Sequence, residues 1–307
     1  MQSANIVPLH TPGARLLVGQ APAMLLLRQR IGKIARSVAP VFIGGETGSG
    51  KELVARALHA ESPRRERPFV AVNCGAIPAE LLESELFGHC KGSFTHAAQD
   101  REGLFLAAQG GSLFLDEVAE LPLPLQAKLL RAVQERAIRP LGGTREIAVD
   151  LRLISASHKD LAREVSAGRL RQDLYYRLKV LSLYVPPLRE RREDLPLLIE
   201  HILYRLAREL RAPPFSLSPD ALQWLMRQTF PGNVRELENL LHHAAVLADG
   251  SRLEIYDFME PSINFATSTQ AETPSNAAFA LDGKLDALQR QEIEQALSAQ
   301  RWNRSAA

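Results

Sequence analysis

The sequence predicts an α/β fold with a mostly parallel sheet, followed by a small all-α subdomain. Three observations predict it. Between residues 41 and 185, short apolar runs alternate with segments of helical period, the pattern of parallel strands joined by helices. The first run, Val41 to Gly44, passes through a glycine-rich turn directly into a helix-forming segment. After Pro186-Pro187 the strand pattern stops and only helical periodicity remains.

Residues 1–17 read as an irregular lead-in and 18–187 as the α/β part. Pro22 introduces a helix over 23–37, with Leu26, Ile31 and Ile34 expected to face the core. Strand 41–44 and the helix it feeds, running to Ala60, come next, then a charged surface loop at 62–67. A second strand, 69–72, ends at Asn73-Cys74-Gly75. Pro78 opens a helix to Phe87, at a position where its missing N–H does least harm. Residues 88–105 show little periodicity and read as a long surface loop or a functional hairpin. A third strand, 112–115, ends in Asp116-Glu117, and a helix covers 123–135. Residues 137–139 and 145–149 flank Gly142-Gly143 as a hairpin. Strand 151–156, short helices 159–166 and 170–178, and strand 179–185 complete the sheet. Helices over 193–210, 218–228 and 233–248 make the subdomain assigned to 188–260. Residues 261–283, rich in Ser, Thr, Ala, Asn and Pro, read as a linker. Residues 284–300 read as another amphipathic helix, with Leu285, Leu288, Ile293 and Leu297 apolar.

At 307 residues the chain has room for one large domain and one or two small ones. Its net charge of +2 gives no steer toward nucleic acid or acidic partners. The two cysteines, Cys74 and Cys90, stand in no metal or redox spacing and fit a reducing compartment. No apolar run approaches a membrane span, and the N-terminus lacks the layout of a secretion signal. The expected location is the cytoplasm.

The residues that carry chemistry begin with the turn itself. Gly45, Glu46, Thr47, Gly48, Ser49, Gly50 and Lys51 have the spacing of a phosphate loop between strand and helix. Glycines let successive N–H groups turn toward an anion, the helix N-terminus adds partial positive charge, and Lys51 reaches outer phosphates. Glu52 stands where Ser or Thr usually meets magnesium. Asp116 and Glu117 end an apolar strand, where one carboxylate would organise Mg2+, directly or through water, and the other would polarise water. Asn73, at the end of the neighbouring strand, reads either as a partner for such a glutamate or as a plain turn residue. Pro231-Gly232 make a turn, and Asn233 with Glu236 fits an N-cap with its reciprocal partner. Arg235 then falls in the first helical turn, at the wrong end of the dipole unless it reaches a phosphate. Arg171 and Arg177 are six apart and share no helix face; on their own they read as surface salt-bridge formers. The charge cluster at 189–194 reads as a solvated face. His89, Cys90 and His96 fit no closed metal site.

Taken together these motifs resemble the AAA+ domain of bacterial sigma-54-dependent transcriptional activators, over roughly Leu17 to Glu260. GETGSGKE is similar to that family's Walker A, Glu52 included, and GGSLFLDE to its Walker B. KGSFTHA sits where the family has its GAFTGA loop, and LRLISASHKDL resembles sensor I, with Ser157 and His158 at the polar positions. LRQDLYYRL resembles the arginine-finger segment and FPGNVRELEN sensor II. The resemblance implies an AAA+ P-loop NTPase that hydrolyses ATP with Mg2+ in a ring, usually a hexamer, and remodels the sigma-54 RNA polymerase closed complex. Lys51 would bind the β- and γ-phosphates, Asp116 would organise Mg2+, and Glu117 would activate water. Asn73 would pair with Glu117 and relay the nucleotide state. Arg171 and Arg177 would enter the next subunit's ATP site, and Arg235 would sense nucleotide from the lid. Phe94 and Thr95 would contact sigma-54.

The sequence departs from the family at two places. The loop reads Gly92-Ser93-Phe94-Thr95-His96-Ala97, with serine for alanine and histidine for the second glycine, which adds bulk and removes access to positive φ. Residues 284–307 resemble the start of a Fis-type helix-turn-helix, with WNRSAA opening its second helix and no recognition helix after it. This implies either a fragment or a protein without its own reader of enhancer DNA. The lack of a sensory domain ahead of residue 17 implies control by a partner protein in trans, or truncation. The rival function is a nucleotide-controlled DNA-binding regulator of the same family that does not remodel polymerase.

Overall fold

Apolar alternation dictates which way each strand faces, and the sheet follows from it. The computed structural model describes residues 17–93 and 99–258. Five strands form one sheet: β1 (Val41–Gly44), β2 (Phe69–Asn73), β3 (Ser112–Asp116), β4 (Arg152–Ser157) and β5 (Leu181–Tyr184). All pair in parallel, in the order β2-β3-β4-β1-β5. On β3, Leu113 and Leu115 join one core cluster and Phe114 the other, so successive residues bury on opposite faces. On β1, Phe42 faces the first cluster and Val41 and Ile43 the second. Because every strand runs the same way, Gly44, Asn73, Asp116 and Ser157 finish at one edge. The register sets Asn73 beside Asp116 and Gly44 beside Ser157.

Besides a single turn at Leu104–Ala107, the helices of this part are α1 (Pro22–Ala35), α2 (Lys51–Ala60), α3 (Ala79–Phe87), α4 (Leu123–Glu135), α5 (Leu161–Ser166) and α6 (Gln172–Leu178). The face of α1 differs from expectation. Met24, Leu27, Ile31 and Ala35 are buried, whereas Leu26 is 49% exposed. Counting back from Ile31 by four and seven residues gives Leu27 and Met24; Leu26 sits about one residue's turn, ~100°, away. The C-terminus of α1 is closed by a residue from β4. Arg152, 2% exposed, donates from Nη1 to the Ala35 carbonyl (2.8 Å) and from Nη2 to that of Ile34 (2.9 Å). A cation here meets the negative end of the helix dipole. Burial lowers its pKa to about 10, still well above neutrality.

Residues 88–105 form a hairpin base rather than a plain loop, Gly88–His89 pairing antiparallel with Arg101–Glu102. Ala137–Ile138 pairs antiparallel with Ile147–Ala148, the second expected hairpin. The two are stitched together: Leu141 N–H donates to the Gly88 carbonyl and Cys90 N–H to that of Leu141, each at 2.9 Å. The loop residues Phe94, Thr95, His96 and Ala97 lie outside the described residues, as do residues 1–16 of the expected lead-in, the expected linker 261–283 and the expected helix within 284–307.

Two short 3-10 turns, Leu188–Glu190 and Arg192–Asp194, lead into α7 (Leu195–Glu209), α8 (Pro219–Arg227) and α9 (Asn233–Leu247). Leu198, Ile202 and Leu206 of α7 bury with Leu237, Leu241 and Ala244 of α9. This subdomain is not purely helical. Ser216–Leu217 and Arg252–Leu253 pair in parallel, because the segments entering α8 and leaving α9 run side by side and satisfy each other's backbone.

Candidate functional site at the strand ends

The turn after β1 wraps the N-terminus of α2. Ser49 N–H and Oγ–H both donate to the Glu46 carbonyl, at 3.2 and 2.7 Å, closing the loop on itself. Gly48 (φ +73°) is required twice over. Left-handed backbone disfavours a side chain, and a Cβ there would lie 2.2 Å from the Gly232 carbonyl oxygen. Lys51, 6% exposed, lays its Nζ against the loop's own carbonyls, 3.1 Å from Gly45 O and 3.4 Å from Glu46 O. A third neighbour is Glu117 Oε1, at 3.4 Å.

Glu117 follows β3 in a left-handed conformation (φ 51°, ψ 49°), which swings its side chain toward the end of β4. There Oε2 accepts from His158 N–H (3.2 Å) and lies 2.7 Å from His158 Nδ1. Burial resists its ionisation, but the bond from His158 and the charge of Lys51 outweigh this and hold the carboxyl below its ordinary pKa. Asp116 behaves oppositely. Its burial and the neighbouring Glu117 charge raise its pKa against the pull of Lys51, while its Oδ1 accepts the Glu117 N–H at 3.0 Å.

The pairing expected between Asn73 and Glu117 is not the one formed. Asn73 Oδ1 accepts Gly75 N–H at 2.9 Å, making a turn at the exposed end of β2. Glu117 has turned to the other neighbour of β3, where His158 takes the place expected of Asn73. Glu52, in the position where a magnesium-binding hydroxyl usually stands, is 52% exposed and pairs with Arg56 one turn on (2.7 Å).

The helical subdomain reaches the loop with more groups than the sequence indicated. Val234 and Arg235 N–H both donate to the Gly48 carbonyl, at 3.0 and 3.3 Å. The Arg235 side chain is exposed, with no hydrogen bond or ion pair to the described residues. The N-cap of α9 is Gly232 rather than Asn233, and Glu236 Oε2 accepts the Gly232 N–H (2.7 Å). Asn233 is displaced from capping because its side chain is engaged elsewhere: Nδ2 on Glu46 Oε2 (3.1 Å) and Thr47 O (3.0 Å), Oδ1 accepting Leu188 N–H (2.7 Å).

The cluster at 189–194 is a solvated face only in part: Arg189, Glu190, Arg192 and Glu193 are exposed, while Arg191 and Asp194 are buried. Asp194 is fully buried and accepts from Gln20 and Ala21 N–H, while Arg191, 4% exposed, donates to Ser49 O at 2.8 Å. Arg189 makes a two-pronged bond to Glu46. These partners lie more than 140 positions away in the chain, a separation that local periodicity does not report.

Arg171 is the N-cap of α6 and Arg177 lies in its last turn, both exposed. Arg171 pairs with Asp173, Nη2 to Oδ2 at 2.7 Å, which raises its pKa by hydrogen bond and charge. Its backbone N–H is held by Gln126 Oε1 at 2.9 Å. Arg177 is exposed, and neither guanidinium touches the loop or the acidic pair among the described residues. These residues also hold no group of three or more His, Cys, Asp or Glu suited to a metal. The site therefore offers a glycine cradle at a helix N-terminus, one lysine, and two carboxylates of opposed pKa. Such a set suits a phosphate chain accompanied by one cation.

Comparison with known proteins places this geometry in a family. The model of the Sigma-54 interaction domain matches residues 17–184, and that of the AAA+ ATPase lid domain matches 189–275. The chain is 57% identical to Response regulator protein PilR of Pseudomonas aeruginosa over 298 residues, covering 97% of this chain and 67% of PilR. It is 53% identical to Transcriptional regulatory protein ZraR of Salmonella typhimurium, covering 76% of this chain and 53% of ZraR. The structure of NtrX from Brucella abortus in complex with ATP superposes with a TM-score of 0.74 at 36% identity, covering 91% of this chain and 61% of NtrX. The chain thus spans between about half and two thirds of the length of these relatives. No helix among the described residues is long and apolar enough to cross a membrane.

Proposed function

The chain belongs to the sigma-54 interaction domain family of AAA+ proteins, and from that premise we propose that it hydrolyses ATP to remodel the sigma-54 RNA polymerase closed complex. The observation that carries this is the array of Lys51, Glu117 and His158 beside the loop at one sheet edge. Lys51 waits on loop carbonyls and on Glu117. Phosphates entering the cradle would draw Lys51 to themselves and free Glu117 Oε1. His158 keeps Oε2, so the carboxylate stays oriented while its free oxygen takes a proton from water. The lowered pKa keeps Glu117 ionised for that task.

Asp116 is the residue that would hold Mg2+, directly or through water; its raised pKa marks a buried carboxyl whose charged form a cation would favour. When bound, the ion supplies charge neutralisation on the phosphate oxygens. Glu52 offers no help, being turned to Arg56.

The assembly is part of the proposal. Arg171, at the N-cap of α6, and Arg177, in its last turn, are exposed and would enter the ATP site of a neighbouring copy in a ring, a hexamer in the family pattern. Arg235, whose side chain has no partner among the described residues, would meet nucleotide from the lid. Phe94 and Thr95 would contact sigma-54, and enhancer DNA would be bound through a C-terminal helix-turn-helix that 284–307 begins.

The test is open-complex formation on a sigma-54 promoter with ATP. Lys51→Ala should abolish ATP binding, and Glu117→Gln should bind ATP yet turn it over about 100-fold more slowly or worse. Binding unchanged in Lys51→Ala would overturn the site. Robust hydrolysis by the wild type with no open complex would replace remodelling with the regulator reading.

A further inference from the structure

We propose that Glu46 is not a phosphate ligand but the latch that locks the helical subdomain to the phosphate loop, with Arg189 and Asn233 as its positioning residues; this rests on reading the loop as the nucleotide site. The carboxylate accepts three bonds, all from that subdomain. Arg189 Nη1 reaches Oε2 at 2.7 Å and Nη2 reaches Oε1 at 2.6 Å, a bidentate fork. Asn233 Nδ2 adds a third bond at 3.1 Å. The two residues come from separate elements, the turn Leu188–Glu190 and the start of α9.

Asn233 is built for the task. It is 1% exposed and sits at φ +56°, a conformation that asparagine tolerates and β-branched residues do not. Its side chain engages Glu46, Thr47 O, Pro231 O and Leu188 N–H, joining turn, helix and loop at one point.

The consequence for the loop is geometric. The carbonyls of Thr47, Gly48 and Ser49 are all taken by the helical subdomain: by Asn233 Nδ2, by the Val234 and Arg235 N–H groups, and by Arg191 Nη2. A peptide whose C=O is fixed on one side presents its N–H on the other. The subdomain thus sets which way the loop amides point, and the amides are what cradles an anion. Any shift of the loop on nucleotide arrival is passed to α9 through the same bonds.

The experiment uses the full chain. Glu46→Gln and Arg189→Ala should each speed hydrogen exchange at the Val234 and Arg235 amides without nucleotide, and each should weaken ATP binding about five-fold. The exchanged pair Glu46→Arg with Arg189→Glu should recover most of both losses, which a merely local effect of either residue would not do. Exchange and ATP affinity within about two-fold of wild type in both single variants, or no recovery in the exchanged pair, would overturn the latch. A wild-type chain that fails to bind ATP would overturn the nucleotide reading instead, while exchange without nucleotide would still decide the latch.

Discussion

Glu117 has two strands to lean on, and its backbone decides between them. Left-handed φ and ψ turn the side chain from β2 to β4, so His158 and not Asn73 holds it. His158→Ala is therefore expected to slow turnover about ten-fold or more with ATP binding little changed, while Asn73→Ala has the smaller effect. Steady-state rates of the two variants would check this, and a larger loss in Asn73→Ala would restore the expected pairing. Gly48 is a second decisive residue. Gly48→Ala puts a methyl against Gly232 O in a left-handed conformation. It should cost about 1–3 kcal/mol in denaturant unfolding and loosen the helical subdomain from the loop.

At the scale of elements, α1 depends on a residue 117 positions further along the chain. Arg152 closes the Ala35 carbonyl, which no later turn of α1 can satisfy, and adds a bond to that of Ile34, which the Ser37 N–H also reaches at 3.0 Å. Arg152→Ala should lower stability by about 2–3 kcal/mol, from two charge-assisted bonds lost and the buried Ala35 carbonyl left open. Urea unfolding would measure it, and a loss below about 0.5 kcal/mol would mean that water replaces the guanidinium. The phosphate loop follows the same logic. Its glycines make the curl possible, but the carbonyl side of the curl is fixed by Arg191 and by α9.

At the scale of the whole molecule, the exposed Arg171 and Arg177 contact neither the loop nor the acidic pair among the described residues. If they act in a ring, Arg171→Ala is rescued by company. Mixed with Lys51→Ala, each inactive alone, it should regain measurable ATPase activity, because some sites then combine an intact loop with an intact arginine. Activity absent from mixtures that sizing shows to be assembled would remove Arg171 from the neighbour's site.

The sequence alone determined the parallel sheet, the phosphate loop, the acid pair and the family resemblance. Each is written locally: a run of apolar residues, a glycine spacing, two carboxylates after a strand, a fixed order of motifs. Strand ends at Asp116 and helix α4 were legible for this reason. The tertiary structure decided what those pieces touch. It gave Glu117 to His158 rather than Asn73, moved the cap of α9 to Gly232, and drew Arg189 and Arg191 out of an otherwise exposed charge cluster into the join between loop and subdomain. These contacts cross 40 to nearly 190 positions of chain, and their partners are chosen by packing and by the need of each buried polar group for a bond. A period of 2 or 3.6 residues reports burial along one element; only the folded chain reports which element it meets.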